Sequence, residues 1–283
     1  MDRALLTLGD EAELERFLVA HADSSMFLRG NARAAGLVDR GERLQGTYVA
    51  AREQGEIVAV AAHCWNGMVL VQGRIDAVGD VARDAVARTG RSVTGFSGPC
   101  AQVAAARAAL GLADRATALD SREDLFTLAL AELRVPDALV DGRVVCRRPL
   151  ADEHRELARW RWAYEVEAIG AVPTPEREAR TINGFRPNDA QRVLVANGVM
   201  VATTTFTAEL PDSVLVGGVY TPPALRGRGY ARAVVAGSLV EARDHGVLRS
   251  ILFTAENNVA ARTAYLALGF QIVGDYGLVL FEA

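Results

Sequence analysis

Apolar positions in this chain change spacing repeatedly, from the three-to-four-residue period of a helix to the alternating or continuous runs of a strand. Leu14, Phe17 and Leu18 place a helix over residues 11–22, with short helical pieces over 29–37. Residues 48–52 and 57–64 are rich in β-formers, and Glu53-Gln54-Gly55-Glu56 between them predicts a hairpin. A third strand is expected over 68–72. Val78, Val81, Ala82, Ala85 and Val86 predict a helix over 76–89 that Gly90 closes. A strand over 92–96 and an Ala-rich helix over 100–110 follow, with further strand candidates at Ala118, at 125–128 and at Val144-Val145.

Residues 136–150 are turn-rich and polar, which divides the chain into residues 1–140 and 146–283. The second part opens with a helix over 151–169, where Leu157, Trp160, Ala163, Tyr164 and Ala168 cluster, and continues as a charged piece over 173–181. Strands over 192–196 and 199–206 flank Asn197-Gly198, a strong signal for a tight hairpin. The next strand, 214–220, leads through a Gly-rich loop to a helix bearing Ala231, Val234, Val235, Ser238, Leu239 and Ala242, closed by Gly246. A strand over 250–254, a helix over 259–268 ended by Gly269, and a final hairpin of 270–273 with 277–281 complete the pattern. The alternation predicts an α/β fold with a mixed sheet.

Composition narrows this picture. Half of the 283 residues are hydrophobic, enough for a substantial core, and the net charge of −4 provides no global attraction to nucleic acid or an anionic membrane. No apolar run reaches membrane-spanning length, and the acidic, amphipathic first 17 residues do not resemble a signal peptide. Cys64, Cys100 and Cys146 lack metal-ligand spacing and are expected to be reduced, buried thiols in a cytoplasmic protein, with no bound metal. The chain contains no lysine, so it has no lysine of its own to act as an acyl acceptor.

The candidate chemistry lies in Val214 to Ala231. A β-branched run meets Gly217-Gly218, continues through Val219, Tyr220 and Thr221, and reaches Arg226-Gly227-Arg228-Gly229-Tyr230-Ala231 before the helix. A strand running through a Gly-rich turn into a helix leaves amide groups unpaired beside the positive end of the helix dipole, which suits phosphate oxygens. The Walker spacing is absent, since it requires lysine, and the dinucleotide pattern Gly-x-Gly-x-x-Gly fails at Arg232. Downstream, Asn258, Ala261, Tyr265, Gly269 and Phe270 stand at the spacing of a signature of the GCN5-related N-acetyltransferase (GNAT) superfamily. Arg226, Gly229 and Ala231 likewise resemble that family's Arg/Gln-x-x-Gly-x-Gly/Ala loop. The resemblance covers roughly residues 146 to 283.

It implies a GNAT fold and transfer of an acetyl group from acetyl-CoA to a primary amine, on a small molecule or a peptide, by direct attack. The pyrophosphate would rest on Arg226, Gly227, Arg228, Gly229, Tyr230 and Ala231, and the pantetheine arm along Val219, Tyr220 and Thr221. Tyr265 would protonate the leaving thiolate. Asn258 is read equally as a helix N-cap and as a cofactor contact. Glu165 and Glu167 are favoured as the base over Glu209, Asp212 and Glu256. The first half has similar element order without the loop spacing after residue 72 and without a tyrosine on the 100–110 helix, so it is read as a degenerate GNAT-like domain or an unrelated α/β domain. An acyl-CoA sensor without turnover, a different acyl group and a homodimer all stay open.

Overall fold

The computed structural model describes residues 1–282. Its contacts group into two compact units, one of Met1–Leu125 with the C-terminal stretch from Val273, the other of Phe126–Ile272. The division differs from the break expected at 136–150. The polar turn there lies inside the second unit, because Val144 belongs to that unit's core.

The first unit contains β1 (Asp2–Leu5), α1 (Glu11–Val19), α2 (Met26–Ala35), β2 (Gly46–Glu53), β3 (Glu56–Cys64), β4 (Met68–Gly73), α3 (Ile75–Thr89), β5 (Gly95–Gly98), α4 (Cys100–Ala109) and most of β6 (Thr117–Ala129). The second contains the end of β6, then α5 (Asp137–Val140), β7 (Val144–Arg147), α6 (His154–Ile169), α7 (Pro175–Gly184), β8 (Arg192–Ala196), β9 (Val199–Glu209), β10 (Ser213–Tyr220), α8 (Tyr230–Asp244), β11 (Arg249–Ala255), α9 (Val259–Leu268) and the start of β12 (Gln271–Phe281).

Both units follow one course: a strand, two helices, three strands, a helix, a strand, a helix and a last strand. Strand order is β1-β2-β3-β4-β5 in the first and β7-β8-β9-β10-β11 in the second. In each, the fourth and fifth strands are parallel and the other pairs antiparallel. The place beside the fifth strand is filled by exchange. In the first unit β12 lies antiparallel to β5, Gly277 opposite Gly98, and in the second β6 stands next to β11. This order fits the reading of the first half as a second GNAT-like domain.

The structure departs from the sequence pattern in three places. Residues 270–281 form one strand, not a hairpin. Asp275, in the expected turn, accepts the Cys100 amide (3.1 Å) and pairs with Arg122 (3.0 Å), while Tyr276 is buried with its hydroxyl 3.1 Å from Ser97 Oγ. Likewise β6 is a single strand of 13 residues that begins with exposed polar positions and ends in the core. Third, β1 carries no apolar alternation; it pairs with β2 through main chain, and Arg3 binds Asp80 and Asp84. The hairpin at Asn197-Gly198 forms as expected, both residues at positive φ.

Each unit has its own core. In the second, Phe126, Leu194, Ala202, Val234, Leu239 and Leu268 are all buried between the sheet and helices α8 and α9. In the first, Val49, Val71, Val78, Val81 and Phe96 pack with Val279 and Phe281 of β12. On the opposite face of the second sheet, α6 presses Leu157 and Trp160 against Val193 and Tyr220.

Candidate active site

In the second unit β10 and β11 pair only at their beginnings, Ser213–Leu215 against Arg249–Ile251. Beyond Leu215 the strands separate. β10 is irregular against its other neighbour, with register shifts at Leu215/Val216 and between Gly217 and Tyr220. Glycine is required there: Gly218 lies at φ +58°, and a Cβ on Gly217 would come within 2.6 Å of Thr207 Cγ2. The bulge leaves main chain of the Val216 to Tyr220 segment outside any ladder with β11, available to an extended ligand.

The strand ends in the loop the sequence singled out. Gly227 (φ +77°) and Gly229 (φ +76°) are left-handed, and Gly229 is the N-cap of α8. Among the described residues, no acceptor meets the backbone amides of Gly227, Arg228, Gly229, Tyr230, Ala231 or Arg232. Nothing lies within 4 Å of a Cβ placed on Gly227, so the backbone is open to a ligand. Thr221, at the root of the loop, is 9% exposed, and its hydroxyl has no partner among the described residues. Unpaired amides at a helix N-terminus beside an unsatisfied buried hydroxyl are what a pyrophosphate ester could satisfy.

Arg226 is held rather than free. Its Nε donates to the Thr221 carbonyl (2.9 Å), its Nη2 to Glu167 (2.5 Å), and its guanidinium stands 5.8 Å from the Tyr220 ring centroid. The Tyr220 hydroxyl donates to the other Glu167 oxygen at 3.3 Å. Burial, then the Glu167 carboxylate, push the Tyr220 phenol up, and Arg226 opposes them. The link from Glu167 on α6 to the loop is a tertiary feature that spacing does not reveal.

The remaining predicted residues are distributed unevenly. Glu165 faces away from Glu167, bound to Arg161 (2.7 Å) and to the Thr181 hydroxyl (3.0 Å). Glu209 stands opposite Val214 at the start of β10, and Asp212 precedes that strand, whereas the loop follows its end. Burial raises Glu209 above the usual carboxylate range. Tyr265 is 7% exposed, edge-on to Phe126 and Phe270 at 6.0 Å each. Asn258 caps α9, accepting the Ala261 amide at 3.2 Å. Trp160 packs on Tyr220 and donates to Glu156 (2.9 Å). No group of side chains suited to a metal ion occurs among the described residues.

Residues 154–270 match the model of the acetyltransferase (GNAT) family. This segment is a GNAT domain. Solved structures extend the likeness over the whole chain. A Drosophila protein aligns over 98% of each chain at 12% identity and a TM-score of 0.65. A GCN5-related N-acetyltransferase from Sphaerobacter thermophilus aligns over 98% of this chain and 94% of its own, at 16% identity and a TM-score of 0.58. A tandem GNAT protein from the clavulanic acid biosynthesis pathway aligns over 98% and 97%, at 15% identity and a TM-score of 0.51. At such identities the likeness is one of fold. No curated protein matched the sequence.

The place in the first unit that corresponds to the GNAT-domain loop is built differently. Only Arg74 separates β4 from α3, and it pairs with Glu53 and Asp76 (2.6 Å each). The Gly73 amide donates to Gln102 Oε1 of α4 at 2.9 Å. β4 and β5 stay close beyond their paired residues, since a Cβ on Gly98 would meet the Val71 carbonyl oxygen at 2.6 Å. Here the Gly73 and Arg74 amides are satisfied internally, by Gln102 and by the Val58 carbonyl.

Proposed function

We propose that the GNAT domain transfers an acetyl group from acetyl-CoA to a primary amine of a small molecule or peptide. The observation that carries this reading is the parting of β10 from β11 into a loop whose amides, Gly227 to Arg232, meet no acceptor among the described residues, beside the unsatisfied Thr221 hydroxyl. The amides would hold the pyrophosphate, and the main chain of Val219, Tyr220 and Thr221 would align the pantetheine arm. Acetyl-CoA supplies an activated thioester, so the new C–N bond forms as the C–S bond breaks. An amide N–H on bulged β10 would stabilise charge on the carbonyl oxygen. Tyr265 would give its proton to the departing thiolate. Glu167 is preferred to Glu165 as acceptor of the ammonium proton, directly or through water, because it alone of the two reaches Tyr220 and Arg226. The closed counterpart in the first unit supports one donor site per chain. Cytoplasmic residence belongs to the same proposal.

A thiol-release assay with acetyl-CoA over a panel of amines tests the reading. Tyr265→Phe should lower kcat by about a hundredfold and leave the acetyl-CoA Kd within about twofold. A wild-type rate in this variant would remove Tyr265 from its role. Tight acetyl-CoA binding with no thiol release across the panel would favour the sensor reading, and faster release from a longer acyl-CoA would change the assigned acyl group.

A further inference from the structure

Two carboxylates on α6 face opposite ways, and the one turned from the loop is the more enclosed. The Glu165 side chain is 23% exposed, against 41% for Glu167. Its Oε1 accepts Arg161 Nε at 2.7 Å and its Oε2 accepts the Thr181 hydroxyl at 3.0 Å. Its main-chain carbonyl accepts the amides of Gly170 and Ala171, which close α6 and begin the turn into α7. Glu165 therefore holds both sides of that turn. Helix α7 depends on such a tie, because it contains no buried residue and packs chiefly on α6. Thr181 carries the tie onward. Its carbonyl accepts the Phe185 amide at 2.9 Å, and the Phe185 ring packs with Trp160, Val193 and Tyr220. Tyr220 in turn donates to Glu167. A line of contacts thus runs from Glu165 through Thr181, Phe185 and Tyr220 to Glu167.

We propose that Glu165 is a positioning residue for the transfer. By holding Thr181 it fixes α7, keeps Phe185 against Tyr220, and so holds the Glu167 carboxylate in the orientation that receives the ammonium proton. This rests on the assignment of Glu167 above. Tyr220 binds one Glu167 oxygen and Arg226 the other, so the carboxylate keeps its plane only while Tyr220 stays in place. Proton transfer is sensitive to such placement, and a shift of about 1 Å can cost about a hundredfold in rate. Glu165 itself stays clear of the reacting groups, since its two oxygens are engaged by Arg161 and Thr181. Glutamine at this position could keep both bonds, its carbonyl accepting from Arg161 and its NH2 donating to the Thr181 oxygen, whereas alanine loses both.

Steady-state kinetics with acetyl-CoA, and with benzylamine, spermidine, glucosamine and a lysyl peptide as acceptors, test this role on the full chain. For each acceptor that wild type turns over, Glu165→Ala should lower kcat by about tenfold and leave the acetyl-CoA Kd from calorimetry within about twofold. Thr181→Val should reproduce that loss, and the two changes combined should lose no more than either alone. Glu165→Gln should keep most of the wild-type kcat. A Glu165→Gln variant as slow as Glu165→Ala would overturn the positioning role and make Glu165 the base. Wild-type kcat in Glu165→Ala, even with a lowered melting temperature, would overturn it too and leave Glu165 a role in stability alone. Additive losses would mean that Glu165 and Thr181 act separately, which also overturns it. Absence of thiol release with all four acceptors, with acetyl-CoA still bound, would overturn the transfer reading and this role together. Binding of acetyl-CoA shows which variants are folded, and Thr181→Val keeps the test open should Glu165→Ala fail to fold.

Discussion

At the scale of single residues, the site depends on backbone conformations only glycine adopts readily. Gly229 caps α8 at φ +76°, and Ala there would cost on the order of 1–3 kcal/mol in strain and turn the loop amides aside. We expect Gly229→Ala to weaken acetyl-CoA binding by about tenfold with little change in the first unit; unaltered affinity in calorimetry would argue against the amide cradle. In the first unit, His63 is fully buried, with Nδ1 2.6 Å from the Thr89 hydroxyl. Burial, then Arg91, hold its pKa below the ordinary histidine value. The folded state therefore favours neutral imidazole, and the unfolded chain takes up the proton first as pH falls. Its contribution is present above about pH 6.5 and is lost as pH falls below that value. Thermal melts from pH 7.5 to 5 should show a decline that His63→Gln flattens; identical slopes would place the titration elsewhere.

Elements set where these residues can act. α9 begins at Asn258, whose side chain accepts the Ala261 amide, and the same helix carries Tyr265. Asn258→Ala should cost about 1 kcal/mol, read as a lower melting temperature. If Asn258 also touches the donor, the acetyl-CoA Kd will rise as well, whereas an unchanged Kd assigns it to capping alone. β10 shows how one strand serves two ends: its start joins β11 in the sheet, and its bulged end is released toward the loop. The glycine pair and the downstream motif made this legible in the sequence. The pairing of Glu167 with Arg226 was not legible, because it joins α6 to a loop 59 residues further along the chain.

The whole chain is two similar courses, and the last strand of the second, from Val273 onward, belongs to the first unit. Phe281, Val279 and Tyr276 of β12 are buried in the first unit, although they follow the last helix of the GNAT domain. Ending the chain at Ile272 removes these side chains, each worth about 1.5–3 kcal/mol of burial. Limited proteolysis of such a truncation should cut rapidly within residues 1–125. Resistance equal to that of the full chain would mean that β12 contributes little to the first unit. The exchange also explains why the break read at 136–150 differs from the division at Leu125 and Ile272. Polarity marks where a chain is solvated, not which sheet a strand enters.

The sequence alone determined the local course: the hairpin at Asn197-Gly198, the α9 boundaries, the left-handed glycines and the motif pair that marks the GNAT domain. These follow from φ preferences, caps and apolar periods, all carried by neighbouring residues. Tertiary structure decided the rest. It made one strand of residues 271–281, joined Glu167 to Arg226 and Tyr220, turned Glu165 toward Arg161, and set Gln102 on the Gly73 amide. Each of these depends on which distant segment supplies the partner for a hydrogen bond or an apolar face, and spacing along the chain does not encode that choice.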